Sequence, residues 1–302
     1  MSCLVCNSND SILVQEDVCD LEYETYKPVK YIACKNCGLI FQNPIPSLDQ
    51  IKDFYPDHYR NYLPIGGGLF SFLKSSQYKS LAKEILNLSL RNDLNNKNVL
   101  EVGFGNGYLL RVLRMIGISN LHGVDFSNAF TKDLNNEGIF AKDFNIEEDI
   151  PFDKEFDLII MNNVIEHFID PKKVIVNCFK KLRIGGKVVL ITPNSNALEK
   201  DIFGKYWAGF HAPRHTFLFN SNNTELLAKS TGFKSVKFKG LYDPGQWAIS
   251  VQNILQDSTC FKTNLTNGMS WYLTITSILF LPITFLQSFS NKNTNFIGVL
   301  EK

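Results

Sequence analysis

The chain has 302 residues, 44% of them apolar, enough for one large domain or two modest ones with real cores. Lys and Arg number 31 against 30 Asp and Glu, a net charge of +1, and no dense basic tract is present. That speaks against a nucleic-acid surface built on many phosphate contacts. The amino terminus, MSCLVCNSND, lacks a basic start followed by an apolar run, so no secretory signal is expected. Seven cysteines in such a chain fit a reducing, cytoplasmic setting in which thiols serve a metal.

Cys3 and Cys6 form one C-x2-C pair, and Cys34 and Cys37 form a second. Four thiolates can enclose structural Zn2+ tetrahedrally, and Asn7 and Gly38 suit the tight turns this needs. The intervening ILVQEDV and VKYIAC read as short strands, so residues 1–45 are expected to be a zinc ribbon. Cys19, Cys178 and Cys260 have no such partners and are expected to be small buried hydrophobes. Residues 46–74 read as a connector whose aromatics, Phe54, Tyr55, Tyr59 and Tyr62, pack on the next domain. IGGG at 65–68 allows a hinge.

The next stretch, NVLEVGFGNGYLLRVLRMIG, reads as a buried strand, a glycine turn at Gly103, Gly105 and Gly107, and an amphipathic helix ending at Gly117. Backbone at such a turn can approach a ligand closely. LHGVDFS then gives a second strand ending in Asp125, the position where an acid binds a ribose diol. Glu101, two residues before the first glycine, can face a cationic amino group and would repel a dinucleotide pyrophosphate. Further strands end at Asp143-Phe144 and near Asn162. A helix, a glycine turn and a fifth strand ending in TPN follow. Alternation at this spacing predicts a doubly wound parallel sheet.

These motifs, VLEVGFGNG, VDFS, DLIIMNNVIEHFIDP and LRIGGKVVLITPN, resemble those of class I S-adenosylmethionine-dependent methyltransferases over about residues 75–240. The resemblance implies an α/β, Rossmann-like seven-stranded sheet in a domain spanning 75–302, with the small zinc ribbon before it. It also implies S-adenosylmethionine as cofactor. Glu101 would lie near its methionyl amino group, and Gly103, Gly105 and Gly107 would line the methionyl pocket. Asp125 would hold the ribose hydroxyls, Asp143 and Phe144 would frame the adenine, and Asn162 would contact the cofactor. With the cysteine pairs, FYPDHY, IEHFIDP, TPN and HAPRH, the chain is similar to methyltransferases of bacterial surface-polysaccharide gene clusters.

Two motifs are placed to serve the acceptor. Glu166-His167 follows the fourth strand. In ubiquinone O-methyltransferases a similar segment reads E-x-x-E-H and is associated with a metal, but here Asn163 stands in place of the first acid. The second motif is GFHAPRH, within a substrate loop at 194–220. Gly209 and Pro213 prevent a regular helix, so His211 and His215 are not a helical zinc pair. Either could be a general base, Arg214 could grip a carboxylate or phosphate, and Tyr206 and Trp207 could stack on a sugar. Each histidine could equally be a structural one bonded to backbone. The helix after this loop is expected to be capped by Ser221.

Residues 263–291 are uncharged and strongly apolar, yet FIGVLEK reads as the last strand of the sheet and must return to it. A single membrane span is therefore excluded. A buried helix, a homodimer face or peripheral membrane contact through 271–289 remain. The expected activity is methyl transfer to a sugar hydroxyl of a nucleotide- or lipid-linked glycan intermediate. Alternatives are C-methylation of a nucleotide-bound ketosugar, O-methylation of a quinone or small phenol, and a non-catalytic interaction module.

Overall fold

Seven strands form the central sheet, in the spatial order Ser235–Leu241, Asn295–Glu301, Leu182–Pro193, Phe156–Asn162, Asn98–Val102, Asn120–Asp125 and Phe140–Asp143. The computed structural model describes residues 2–302 except 25–26, 57, 64–67, 91–93, 95 and 259, with the side chains of 52 and 68–74 also outside the description. The expected hinge at 65–68 thus lies almost wholly outside the described residues.

The chain opens with β1 (Ser11–Val18), β2 (Val29–Cys34) and β3 (Ile40–Gln42), an antiparallel meander. Helices α1 (Leu48–Asp53) and α2 (Gly68–Ser89) lead to β4 (Asn98–Val102), α3 (Tyr108–Ile116), β5 (Asn120–Asp125), α4 (Thr131–Asn136) and β6 (Phe140–Asp143). Then come β7 (Phe156–Asn162), α5 (Pro171–Lys181), β8 (Leu182–Pro193), α6 (Leu198–Phe203), β9 (Phe217–Leu218), α7 (Ser221–Thr231) and β10 (Ser235–Leu241). The chain closes with α8 (Pro244–Asp257), α9 (Leu273–Gln287) and β11 (Asn295–Glu301).

The strands are near-continuous apolar runs because both faces of the sheet are covered. Side chains alternate between the faces: Val99, Leu158, Ile160 and Val189 enter one core, while Leu100, Ile159, Met161 and Val188 enter the other. α3 stops where Gly117, at φ 117°, turns its N–H back to the Arg114 and Leu113 carbonyls. The sheet is parallel from β6 through β8, but β11 runs antiparallel to β8 and β10, so the expectation of an all-parallel sheet fails at that edge.

Two further expectations are corrected. The cap of α7 is Asn220, whose side chain accepts from the Asn223 N–H while Asn223 reciprocates; Ser221 is already helical. Cys178 is fully buried, but Cys19 is half-buried and Cys260 exposed. The amino-terminal sheet takes β9 as its fourth strand, and Cys3, Cys34, Leu39 and Phe41 share one core with Ile165, Phe217 and Phe219.

α9 packs on α8, with Phe280 against Trp247. Ile275, Ile278, Leu279, Phe285 and Leu286 of this helix are exposed, as are Trp271 before it and Phe289 after it. Among the described residues no helix is long and apolar enough to cross a membrane.

Candidate active site

Glu101, Gly103, Gly105, Asp125, Asp143, Phe144 and Asn162 line one cavity of about 640 Å³ at the carboxyl ends of the parallel strands. The glycine turn is tight because its surroundings require it. Gly103 sits at φ 69°, and a Cβ there would lie 2.4 Å from Val164 Cγ2. Gly107, at φ 70°, instead packs on Leu134 and is not part of the lining, which corrects its expected place in the pocket.

Asp125 is held from two sides: Gly105 N–H donates to Oδ2 at 2.8 Å and Ser127 N–H to Oδ1 at 2.9 Å. Burial raises its pKa despite these bonds. Glu101 is buried, its Oε2 has no partner, and burial with the nearby Asp125 charge pushes its pKa well up. A cationic amino group is the ligand such an orphan carboxylate lacks. The cradle thus fits S-adenosylmethionine at both its amino and ribose ends.

The opposite wall comes from the connector and was only partly legible. Leu48, Ile51, Tyr55, Tyr59, Asn61 and Tyr62 line the cavity, and Tyr55 packs against Phe126 and His167. The excess of aromatics in a nominal linker was the available signal.

His167 is the one member of the two histidine motifs in the lining among the described residues. Its Nδ1–H donates to the Arg214 carbonyl at 3.1 Å, and the Tyr55 hydroxyl lies 3.0 Å from the same nitrogen. That leaves Nε2 as the lone-pair nitrogen. Burial, aided by the facing His211 and Arg214, drives its pKa down to about 3, so the ring is neutral at physiological pH. Glu166 lies behind it, fully buried, taking the Thr192 hydroxyl at 3.0 Å on Oε2, with Oε1 unpartnered. Burial raises its carboxyl to about 8.

The GFHAPRH loop packs behind this wall. His211, left-handed at φ 35°, donates from Nδ1 to Glu22 Oε1 at 2.7 Å and accepts Arg214 Nε–H on Nε2 at 3.0 Å. Both nitrogens are spent, so the free-base role considered for His211 is not supported. Glu22 stays ionised at about 2: burial opposes this, but His211 and Arg60 outweigh it. Arg214 is taken by Asp20, by His211 and by the Phe54 and Ala212 carbonyls, so it has no fork left for a substrate anion. Trp207 is buried, and the Tyr206 hydroxyl donates to Asp257 at 2.7 Å; neither lines the cavity, which corrects their proposed stacking role. His215 donates from Nδ1 to the Gly209 carbonyl at 2.8 Å, with Nε2 3.9 Å from Glu166 Oε1. Burial and the other histidines hold its pKa well down.

Two groups present metal donors. The four sulfurs of Cys3, Cys6, Cys34 and Cys37 lie within 4.8 Å of one another, and two of the gaps, Cys3–Cys37 and Cys6–Cys34, are 3.5 and 3.4 Å. A tetrahedral ion with bonds of about 2.3 Å needs sulfurs somewhat under 4 Å apart, about what is seen. Both knuckles close alike, Asn7 N–H on the Cys3 carbonyl and Gly38 N–H on that of Cys34. Glu166, His167 and His215 form the second group, also within 4.8 Å.

Strand order, glycine turn and the paired acids define the class I S-adenosylmethionine-dependent methyltransferase architecture. A family described as methyltransferase domain matches residues 73–237, and the chain belongs to it. An uncharacterized protein of Methanocaldococcus jannaschii, MJ1123, is 34% identical over 143 residues, covering 46% of this chain and 65% of the relative. A ubiquinone biosynthesis O-methyltransferase of Psychrobacter arcticus is 29% identical over 115 residues, covering 34% and 43%. One from Rickettsia bellii is 27% identical over 182 residues, covering 54% and 73%. The chain thus spans less than two thirds of the first two relatives. Among solved structures, Haemonchus contortus phosphoethanolamine N-methyltransferase 2 in complex with S-adenosylmethionine is 18% identical, covering 92% of this chain and 64% of that one at a TM-score of 0.52, which is a likeness of fold alone.

Proposed function

We propose that the protein moves a methyl group from S-adenosylmethionine to a hydroxyl of a small, ring-bearing acceptor without phosphate, a quinol or phenol. The observation that carries this is the lining of the cavity. Asp49, Glu147 and Glu148 add to the cofactor-side acids, Tyr55, Tyr59, Tyr62 and Phe126 supply rings, and no Lys or Arg lines it among the described residues. A diphosphate would meet Glu147 and Glu148 in a wall where no Lys or Arg stands among the described residues, which weighs against a nucleotide-linked or lipid-linked glycan. The relatives named as ubiquinone O-methyltransferases fit the same reading.

The sulfonium already activates the methyl group. The protein must align the hydroxyl for in-line attack and take its proton. His167 Nε2 serves as the base, since its tautomer is fixed by the Arg214 carbonyl and its ring faces the cavity. Glu166 and His215 support it from behind. The orphaned Glu166 Oε1 favours a second reading, in which Glu166, His167 and His215 hold a divalent cation. Such an ion would lower the pKa of a nearby hydroxyl. In either case the cysteine cluster holds structural zinc.

A quinol acceptor partitions into lipid, and the exposed apolar face at 271–289 supports peripheral membrane contact there; a homodimer is the competing use of that face. The test is calorimetric titration with S-adenosylmethionine and S-adenosylhomocysteine, followed by methyl-transfer assays on a catechol or hydroquinol and on a sugar nucleotide. Transfer to the phenolic acceptor alone supports the reading. Transfer to the sugar nucleotide alone overturns it.

A further inference from the structure

The loop at 208–216 is buried and irregular, and it satisfies only part of its own carbonyls: His211 N–H and Arg214 N–H take those of Ala208 and His211, and His215 Nδ1 takes that of Gly209. The amino-terminal sheet takes those of Phe210, Pro213, His215 and Thr216. The Tyr31 hydroxyl, wholly buried, reaches the carbonyls of His215 at 2.8 Å and Phe210 at 3.1 Å. Gln42 Nε2 donates to those of Pro213 at 2.5 Å and His215 at 3.0 Å. Gln42 N–H donates to the Thr216 carbonyl at 2.9 Å, and β3 pairs with β9 through Ile40–Leu218 and Phe41–Phe217. Asp20, just after β1, clamps Arg214, whose own carbonyl receives the His167 Nδ1–H.

The strands that carry these groups are tied to the cysteine cluster. β2 ends at Cys34, and β3 begins three residues after Cys37. The β1–β3 meander and its β9 partner are short, and a structural zinc bound between the knuckles would add folding energy to the strands that carry these groups. The cofactor-side groups, by contrast, sit on β4, β5 and the turn at Gly103, whose hydrogen bonds lie within the transferase sheet.

We infer that Asp20, Tyr31 and Gln42 are positioning residues that hold His167 through the 208–216 loop, so that the metal state of Cys3, Cys6, Cys34 and Cys37 governs the acceptor side of the site and leaves the cofactor side intact. This rests on reading His167 as the acceptor-side base.

The experiment follows the ring resonances of the five histidines by NMR, assigned by single replacements, in the zinc-loaded protein, after zinc extraction under reducing conditions, and in Tyr31→Phe and Asp20→Asn. Tyr31→Phe removes only a hydroxyl and guards against a misfolded Asp20→Asn. S-adenosylhomocysteine affinity is measured on each sample. Expected is a changed ring nitrogen pattern at His167 and His215, an unchanged His122 on β5, and affinity within about threefold of the parent. An unmoved His167 in both variants and after zinc extraction overturns the inference. So does a loss of affinity that runs parallel to the resonance changes. Failure of the zinc-loaded parent to bind S-adenosylhomocysteine would strike the methyltransferase reading instead.

Discussion

Arg214 and Asp20 meet as a two-pronged ion pair, Nη1 to Oδ2 at 3.0 Å and Nη2 to Oδ1 at 2.9 Å, with both side chains almost wholly buried. Asp20 belongs to the amino-terminal sheet region and Arg214 to the loop behind His167. Replacing Arg214 with Met leaves the buried Asp20 carboxylate without its guanidinium and should cost about 3–5 kcal/mol. Combining it with Asp20→Leu should recover much of that loss. Urea denaturation of the two variants checks this, and a double variant no more stable than the single one would contradict it.

On the proposed ribose assignment, Asp125→Ala removes the acceptor for two hydroxyls. With each charge-assisted bond contributing about 1.5–3 kcal/mol, S-adenosylhomocysteine affinity should fall roughly 100-fold or more. Gly103→Ala should also weaken binding, since its Cβ would strike Val164 at a left-handed backbone position. Titration calorimetry gives both answers; unchanged affinity in Asp125→Ala would remove the ribose assignment.

His167→Gln should slow methyl transfer by roughly 10²–10⁴-fold while leaving cofactor affinity near the parent value. His211→Gln should act mainly on stability, because both nitrogens of His211 are spent on Glu22 and Arg214. The split between turnover and affinity decides the matter. A fully active His167→Gln would move the base elsewhere.

Metal content separates the two donor groups. The cysteine cluster should hold one zinc per chain, lost in Cys34→Ser. If Glu166, His167 and His215 also hold an ion, cobalt loading should give a second equivalent that His215→Ala removes. Thiolate-to-metal absorption should then belong to the first equivalent alone. A single equivalent at saturating metal would leave His167 as the unaided base.

Burial depresses His167 to about 3 and His122 to about 4, against about 6.5 in the unfolded chain. Between those values the unfolded chain binds more protons, so stability falls as pH drops below 6.5. Glu166 has the opposite sign: burial raises it to about 8 from 4.5, the folded form holds the extra proton between those values, and stability falls as pH rises through that window. Glu101 acts in the same direction. Between 4.5 and 6.5 the two pairs oppose each other, and above 6.5 the histidine contribution is complete and the glutamates remain, so Tm should decline as pH rises from about 6.5. Glu166→Gln should flatten the decline toward pH 8. Calorimetric scans across this range test it, and a parent Tm still climbing from pH 7 to 8 would refute it.

The sequence by itself determined the transferase sheet and its cofactor side. These rest on local signals: apolar runs bounded by turns, the glycines at 103 and 105, and the acids at 101 and 125. Each is dictated by backbone sterics or by a strand end a few residues away. It also determined the paired cysteines, since a knuckle is a local turn. What only the tertiary structure decided was the acceptor side. Asp20, Glu22, Tyr31 and Gln42 meet a loop nearly two hundred residues away, and no local pattern marks such a partnership. The same holds for Arg214 and His211, whose residue types suggested substrate chemistry until long-range partners filled their hydrogen bonds. His167 lines the cavity with its Nδ1 held by the carbonyl of Arg214, whose guanidinium Asp20 in turn holds.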